Sequence, residues 1–302
     1  MRYAGRWGML LALALLAGMA ALALLHKGYT PDGNVAAGKQ RIVSLAPSIT
    51  ETLFALGLGD RVVGVTEYCT YPPEATKIER VGGFSTPNLE KLLALSPTLV
   101  IGNEGAPANV VGLVKQSGAS VLELRKVGSF EDIFDGFMKI GQAAGAEEQA
   151  RKVVAAMRQE LDAAAAPYKD LPAEKRPRVF VEIWHDPITT AGAGSFVDEL
   201  ITRAGGVNVA HELTQAHPNV SPEKVIEWDP DVIIVAYMAK QGGARAMAGR
   251  IGWGGISAVK AGRVIDDIST DYLLRPGPRL VEGVKILAQR LHSAEAGKKA
   301  NE

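Results

Sequence analysis

Apolar residues fall into two patterns along this chain. Short aliphatic and β-branched runs at residues 41–45, 62–65, 99–101, 121–124, 178–184, 232–235 and 264–266 predict buried strands. Between them, apolar positions recur at helical spacing over 89–95 and 110–116. Ser48-Ile49-Thr50-Glu51 reads as a capping box for a helix through Leu56 that is stopped by Gly57 and Gly59. Ser195-Phe196-Val197-Asp198 has the same form and opens a helix ending at Gly205-Gly206. Strands alternating with helices predict an α/β fold with parallel sheets flanked by helices on both faces.

One unit occurs twice. Asn88-Leu89-Glu90-Lys91-Leu92-Leu93, followed by Ser96-Pro97 and the apolar run at 99–101, recurs as Ser221-Pro222-Glu223-Lys224-Val225-Ile226, followed by Asp229-Pro230 and 232–235. Each copy predicts a capped helix, a proline break and a buried strand. Residues 147–166 lack glycine and proline, and Ala150, Val153, Val154, Met157 and Leu161 keep helical spacing until Pro167. The expected organisation is an N-terminal lobe over 41–145, a single long connecting helix over 146–168 and a C-terminal lobe over 169–293, with a tail over 294–302. A helical connector resists bending, so lobe motion of limited amplitude is expected.

The length of 302 residues suits two domains of about 120–150 residues. Equal numbers of basic and acidic residues, 33 each, leave no broad basic field for nucleic acid or anionic lipid. The single cysteine, Cys69, excludes an internal disulfide and a thiolate-rich metal cluster, and reads as a plain buried or half-buried thiol. Arg2 and Arg6 precede an uncharged run from Gly8 to Leu25, the order of an export signal. Residues 1–40 are therefore expected to be an export signal, or an uncleaved membrane anchor, plus a tether. This places the body in the periplasm. No cysteine stands near the run to carry a lipoprotein anchor.

Candidate chemistry begins with what is missing. The chain has no G-x-S-x-G, no phosphate-binding G-x-x-x-x-G-K-[ST], no H-E-x-x-H and no strand-to-helix G-x-G-x-x-G, so no catalytic residue is assigned. His185, His211, His217 and Asp271 define a competing reading as an exported zinc metalloenzyme, but their spacing matches no helix-face ligand pair and scatter explains them better. Glu90 and Glu223 each lie two positions after a helix cap, where the helix dipole favours a carboxylate by about 0.3–1 kcal/mol. That effect accounts for either acid alone. It does not require the same acid in both copies, so the pair is read as a docking contact for the guanidinium groups of a two-fold partner. Aromatic and polar residues gather in loops after strands, where open α/β sheets bind ligands. They include Tyr68, Phe84, Trp184, His217, Asp271, Tyr272 and Arg275, and suit a large, flat, partly apolar ligand. Trp228 and Trp253 are expected to be core.

The stretch from Arg41 to His292 resembles the helical-backbone class of periplasmic substrate-binding proteins of ABC importers, most of all its cobalamin-binding members. The matching text is RIVSLAPSITE at 41–51, YCTYPP at 68–73, NLEKLLALSP at 88–97, VSPEKV at 220–225 and RPGPR at 275–279. The resemblance implies two lobes joined by one helix, with a corrinoid such as cobalamin as transported cargo rather than catalytic cofactor. It implies that Glu90 and Glu223 pair with arginines of a permease dimer, which works with its ATPase subunits. Tyr68 falls at a corrinoid-contact position, and Asp271 and Arg275 at polar-contact positions. Phe84 and His217 stand where cobalamin-binding members carry tryptophan, and Asn103 replaces an aromatic. A ferric siderophore or haem is the alternative cargo.

Overall fold

Strand side chains alternate between two layers in both halves of the chain. The computed structural model describes residues 40–83, 86–104, 108–237 and 243–293. The candidate leader, Phe84 and the tail from residue 294 lie outside the described residues.

The first lobe runs β1 (Ile42–Ser44), α1 (Pro47–Ala55), β2 (Val62–Val65), β3 (Glu79–Arg80), α2 (Leu89–Ala94), β4 (Leu99–Asn103), α3 (Ala108–Gln116), β5 (Ser120–Leu124) and α4 (Phe130–Ala143). Its strands form one parallel sheet in the order β3-β2-β1-β4-β5. The helix α5 (Glu147–Ala165) leads to the second lobe. There β6 (Arg178–Glu182), the hairpin β7 (Trp184–His185) and β8 (Ile188–Thr189), α6 (Phe196–Arg203), β9 (Val207–Asn208), α7 (Pro222–Trp228) and β10 (Val232–Val235) come first. They are followed by α8 (Gly243–Ala248), α9 (Ser257–Lys260), β11 (Val264–Ile265), α10 (Thr270–Leu273) and α11 (Leu280–His292). The second parallel sheet has the order β11-β10-β6-β9.

Period-two alternation decides where each residue packs. In β4, Leu99 and Ile101 face an inner core while Val100 joins an outer one; in β10, Val232 and Ile234 face inward and Ile233 and Val235 outward. The inner core is continuous. It runs from Ile42 and Leu53 through Phe130, Phe137 and the α5 residues Ala150, Val154, Met157 and Leu161 to Val181, Val284 and Leu291. Full burial of each large apolar side chain contributes about 1.5–3 kcal/mol, so exposing even part of this shared core is costly. The lobes are held as one body. Each outer face has its own small core, centred on Leu92 in the first lobe and on Val225, Trp228 and Trp253 in the second. The duplicated helices α2 and α7 occupy these outer faces, one in each lobe.

The predicted strand over 178–184 ends at Glu182, because Ile183 donates its N–H to the Thr189 carbonyl and starts the hairpin. The two-residue strands β3, β8 and β9 are too short to carry an alternation signal. The spans read from the sequence also omit α4 and α11. Neither predicted capping box closes. Ala46, not Ser48, caps α1, with Pro47 in its first turn, and Glu51 turns elsewhere. Ser195 caps α6 by accepting from the Val197 N–H, while Asp198 accepts hydrogen bonds from Asn208 and contacts His211. A closed box exists at α4, where Ser129 accepts from the Asp132 N–H and the Asp132 carboxylate accepts from the Ser129 N–H.

Candidate ligand cleft and docking faces

Open parallel sheets bind ligands at the carboxyl ends of their strands, where the strand order reverses. In the first sheet that point lies between β1 and β4, and in the second between β6 and β10. Asn103 ends β4, and Trp184, His185 and Tyr237 follow β6 and β10. The sheets therefore bring their loops to the edges that topology singles out.

At the second switch point, Trp184, His185 and Tyr237 form an aromatic cluster. The His185 ring lies 5.0 Å from Trp184 and 5.4 Å from Tyr237. Trp184 is 50% exposed, so this wall faces solvent rather than core. Fully buried Glu182 is bonded by the Arg250 guanidinium, 2.8 Å from Nη2, and its charge acts on the Tyr237 phenol. Burial pushes the Tyr237 phenol up, and the Glu182 charge adds to that shift. Burial alone would lower Arg250, but the hydrogen bond and charge of Glu182 hold it above its ordinary value. Tyr68 follows β2 in the first lobe and is 56% exposed.

A charged network crosses from one lobe to the other. Glu51 of α1, with its side chain 1% exposed, accepts from Arg275 Nη1 at 2.8 Å and from Arg279 Nε and Nη2 at 2.9 and 2.7 Å. Asp271 pairs with the same arginines at 2.6 and 3.0 Å. The Arg279 guanidinium lies 4.4 Å from the Tyr71 ring centroid and 5.3 Å from that of Tyr272, a cation–π arrangement. Burial works against the Arg279 charge, but Glu51 and Asp271 raise its pKa far above the ordinary value. Burial likewise pushes the Tyr71 phenol up, with Arg279 opposing.

Beside this network a crevice of about 110 Å³ is lined by Ser48, Thr52, Asn103, Lys126 and Asp132 of the first lobe and Pro276 of the second. Ligand sites commonly measure roughly 300–1,000 Å³, so this crevice holds at most the edge of a large ligand. His217 is solvent-exposed, yet surrounding protein holds its imidazole below the ordinary pKa and Lys126, from the opposite lobe, adds to the effect. The residues of the zinc reading do not converge. His211 bonds Asp198, His185 joins the aromatic cluster and Asp271 belongs to the arginine network. Among the described residues no three His, Cys, Asp or Glu side chains gather to hold a metal ion.

The two acidic tips have matching local structure. Asn88 caps α2 and Ser221 caps α7, each accepting from the N–H three residues on at 3.0 and 3.3 Å. After each helix a non-glycine residue takes positive φ just before proline, Ser96 at 46° and Asp229 at 39°. A helix leading into a parallel strand runs antiparallel to it, which sets each helix start at the carboxyl edge of its own sheet. Glu90 and Glu223 are exposed there. The Glu223 backbone N–H and the Ser221 hydroxyl hold the Glu223 carboxyl below its ordinary value.

Residues 42–269 match the periplasmic binding protein family. The chain belongs to that family. An uncharacterized ABC transporter substrate-binding lipoprotein of Bacillus subtilis is 37% identical over 84% of this chain and 80% of its own length. The vitamin B12-binding protein of Vibrio cholerae is 32% identical over 85% of this chain and 90% of its own. The crystal structure of the periplasmic vitamin B12-binding protein of that species superposes with a TM-score of 0.68 at 31% identity, covering 86% of this chain and 98% of the other. The apo periplasmic heme-binding protein of Roseiflexus gives 0.74 at 31% identity, covering 86% and 100%. Family members of this kind are binding proteins rather than enzymes. Among the described residues no helix is long and apolar enough to cross a membrane.

Within this binding-protein frame, sequence reasoning misses Glu51, Tyr71, Glu182, Tyr237, Arg250 and Arg279 as site residues. A signal exists for one of them: Arg279 closes the RPGPR loop that Arg275 opens. The others depend on partners distant in sequence.

Proposed function

We propose that this chain is an extracytoplasmic receptor that captures a cobalamin-like corrinoid between its lobes and delivers it to an ABC importer. One observation carries the reading: the vitamin B12-binding protein of Vibrio cholerae matches this chain in sequence, and that species' B12-binding structure matches its fold, over nearly the whole body. The site chemistry supports it. Tyr68 and the Trp184–His185–Tyr237 wall offer aromatic faces to a flat ring, and Asn103, His217, Asp271, Tyr272 and Arg275 offer polar groups to its rim. Phe84 belongs to the same set by its sequence position. The protein holds and releases its ligand without chemical change.

Delivery falls to the acidic tips. Glu90 and Glu223 dock on arginines of a permease dimer through charge-assisted hydrogen bonds, and the attached ATPase subunits drive transport. Residues 1–40 serve export to the periplasm, either as a cleaved signal or as a membrane tether.

A haem cargo is the second reading, favoured by the 0.74 TM-score of the Roseiflexus protein. Titrating the residue 41–302 body with cobalamin, haemin and a ferric siderophore, read by tryptophan quenching, separates the possibilities. Trp184 is half exposed and serves as a natural reporter. The proposal expects saturable one-to-one quenching by cobalamin at lower concentration than by either competitor. Tighter haemin binding selects the second reading, and no response to cobalamin removes the first.

A further inference from the structure

We infer that Glu51 sets the ligand preference of the cleft by balancing the charge of the network between the lobes and fixing Arg275 and Asp271 as a paired donor and acceptor, which selects a ring bearing neutral amides over one bearing carboxylates. The inference rests on the reading above that Asp271 and Arg275 meet the cargo.

Four charged side chains make up the network between the lobes, two guanidinium groups and two carboxylates, so the set has no net charge. Glu51 is the buried member, 1% exposed, and comes from the opposite lobe. Its partners Arg275 and Arg279 lie 224 and 228 residues away in sequence. Asp271 and Arg275 are 29% and 19% exposed, so the outward edge of the network is an acceptor beside a donor, 2.6 Å apart. A primary amide has the complementary pair: its N–H donates to a carboxylate and its C=O accepts from a guanidinium. A carboxylate ligand could accept from Arg275 but would meet Asp271 as a like charge. Corrinoids carry primary amides around the ring, whereas haem carries two carboxylates.

Glu51 keeps this edge in register. Without its charge, two guanidinium groups would share Asp271 alone, and the network would gain one net positive charge. Arg279 is also fixed by the Tyr71 and Tyr272 rings, and the Tyr272 backbone is pressed so closely against α11 that a Cβ on Gly283 would lie 2.1 Å from its carbonyl oxygen. Arg279 is therefore anchored independently, while Arg275 relies on Glu51 and Asp271.

The test compares two probes that share one ring, cobalamin and a cobalamin monocarboxylic acid in which a single peripheral amide is hydrolysed. Dissociation constants for both are measured with the wild-type body and with Glu51→Gln, which keeps the side-chain shape, removes the charge and replaces one of the two acceptor oxygens by an amide donor. The wild type should prefer the amide by about tenfold, the worth of one hydrogen bond to a charged group. Glu51→Gln should weaken amide binding and bring the ratio to unity or reverse it. A merely structural Glu51 would weaken both probes equally and leave the ratio unchanged, which overturns the inference while the receptor reading stands. If neither corrinoid binds the wild type, the cargo reading falls and this inference falls with it. Should Glu51→Gln fail to fold, Asp271→Asn removes the same charge from a partly exposed position and must shift the ratio in the same direction; an unchanged ratio there also overturns it.

Discussion

Each lobe buries one glutamate against arginine, but the two pairs hold different things together. Glu182 of the second lobe is matched by Arg250 of the same lobe and braces the Tyr237 end of the aromatic wall. Glu51 of the first lobe is matched by Arg275 and Arg279 of the second and ties the lobes to each other. The outer faces, by contrast, repeat one solution: a short capped helix, a positive-φ residue before proline and a buried strand. What is duplicated presents a carboxylate outward, and what differs lies around the cleft. Under the proposed function, this arrangement assigns contact with a partner to the duplicated faces and contact with a ligand to the cleft.

Removing an arginine from each buried pair sharpens this contrast. Arg250→Met leaves Glu182 buried without its ionic partner, and breaking such a pair costs about 3–5 kcal/mol. Urea denaturation should show that loss, while hydrogen exchange between the lobes stays as in the wild type. Arg279→Met should also destabilise, and in addition should speed exchange in α1 and in residues 269–279. Equal exchange patterns in the two variants would contradict the assignment of one pair to the lobe interior and the other to the lobe junction.

A smaller effect is expected from the exposed His217, whose pKa is held down by the protein around it and by Lys126 across the cleft. Because the folded pKa lies below the unfolded value, the unfolded chain binds the extra proton first. Stability attributable to His217 is therefore present at neutral pH and declines as pH falls below about 6.5. Melting curves from pH 8 to pH 5 should fall less steeply in His217→Asn than in the wild type; identical slopes would remove the cross-lobe contact from the account.

The outer faces were legible because their signals are local. Cap, proline and apolar run sit within about fifteen residues, and the period of each strand foretells which core it joins. The long α5 helix was legible for the same reason, its buried stripe being Ala150, Val154, Met157 and Leu161. The cleft was less so. Ser-x-x-acid falls at or near a helix start at Ser48, Ser129 and Ser195, yet of these only Asp132 returns to its own cap. Glu51 is taken by arginines more than two hundred residues away, and Asp198 by Asn208 and His211. Tertiary partners outcompete a local hydrogen bond when they bring charge and burial together, and no local pattern announces them. Trp228 and Trp253 are core as expected, and Cys69 is a buried thiol beside the Thr50 and Thr66 hydroxyls.

The separation of delivery from capture is tested most directly by Glu90→Ala combined with Glu223→Ala. Uptake of labelled cobalamin is measured in cells that depend on this receptor, and the affinity of the purified body is measured alongside. Uptake should be abolished while the dissociation constant stays within about twofold of the wild type, since exposed substitutions away from a site perturb a protein little. Uptake that persists, or affinity that falls in step with it, would contradict the account.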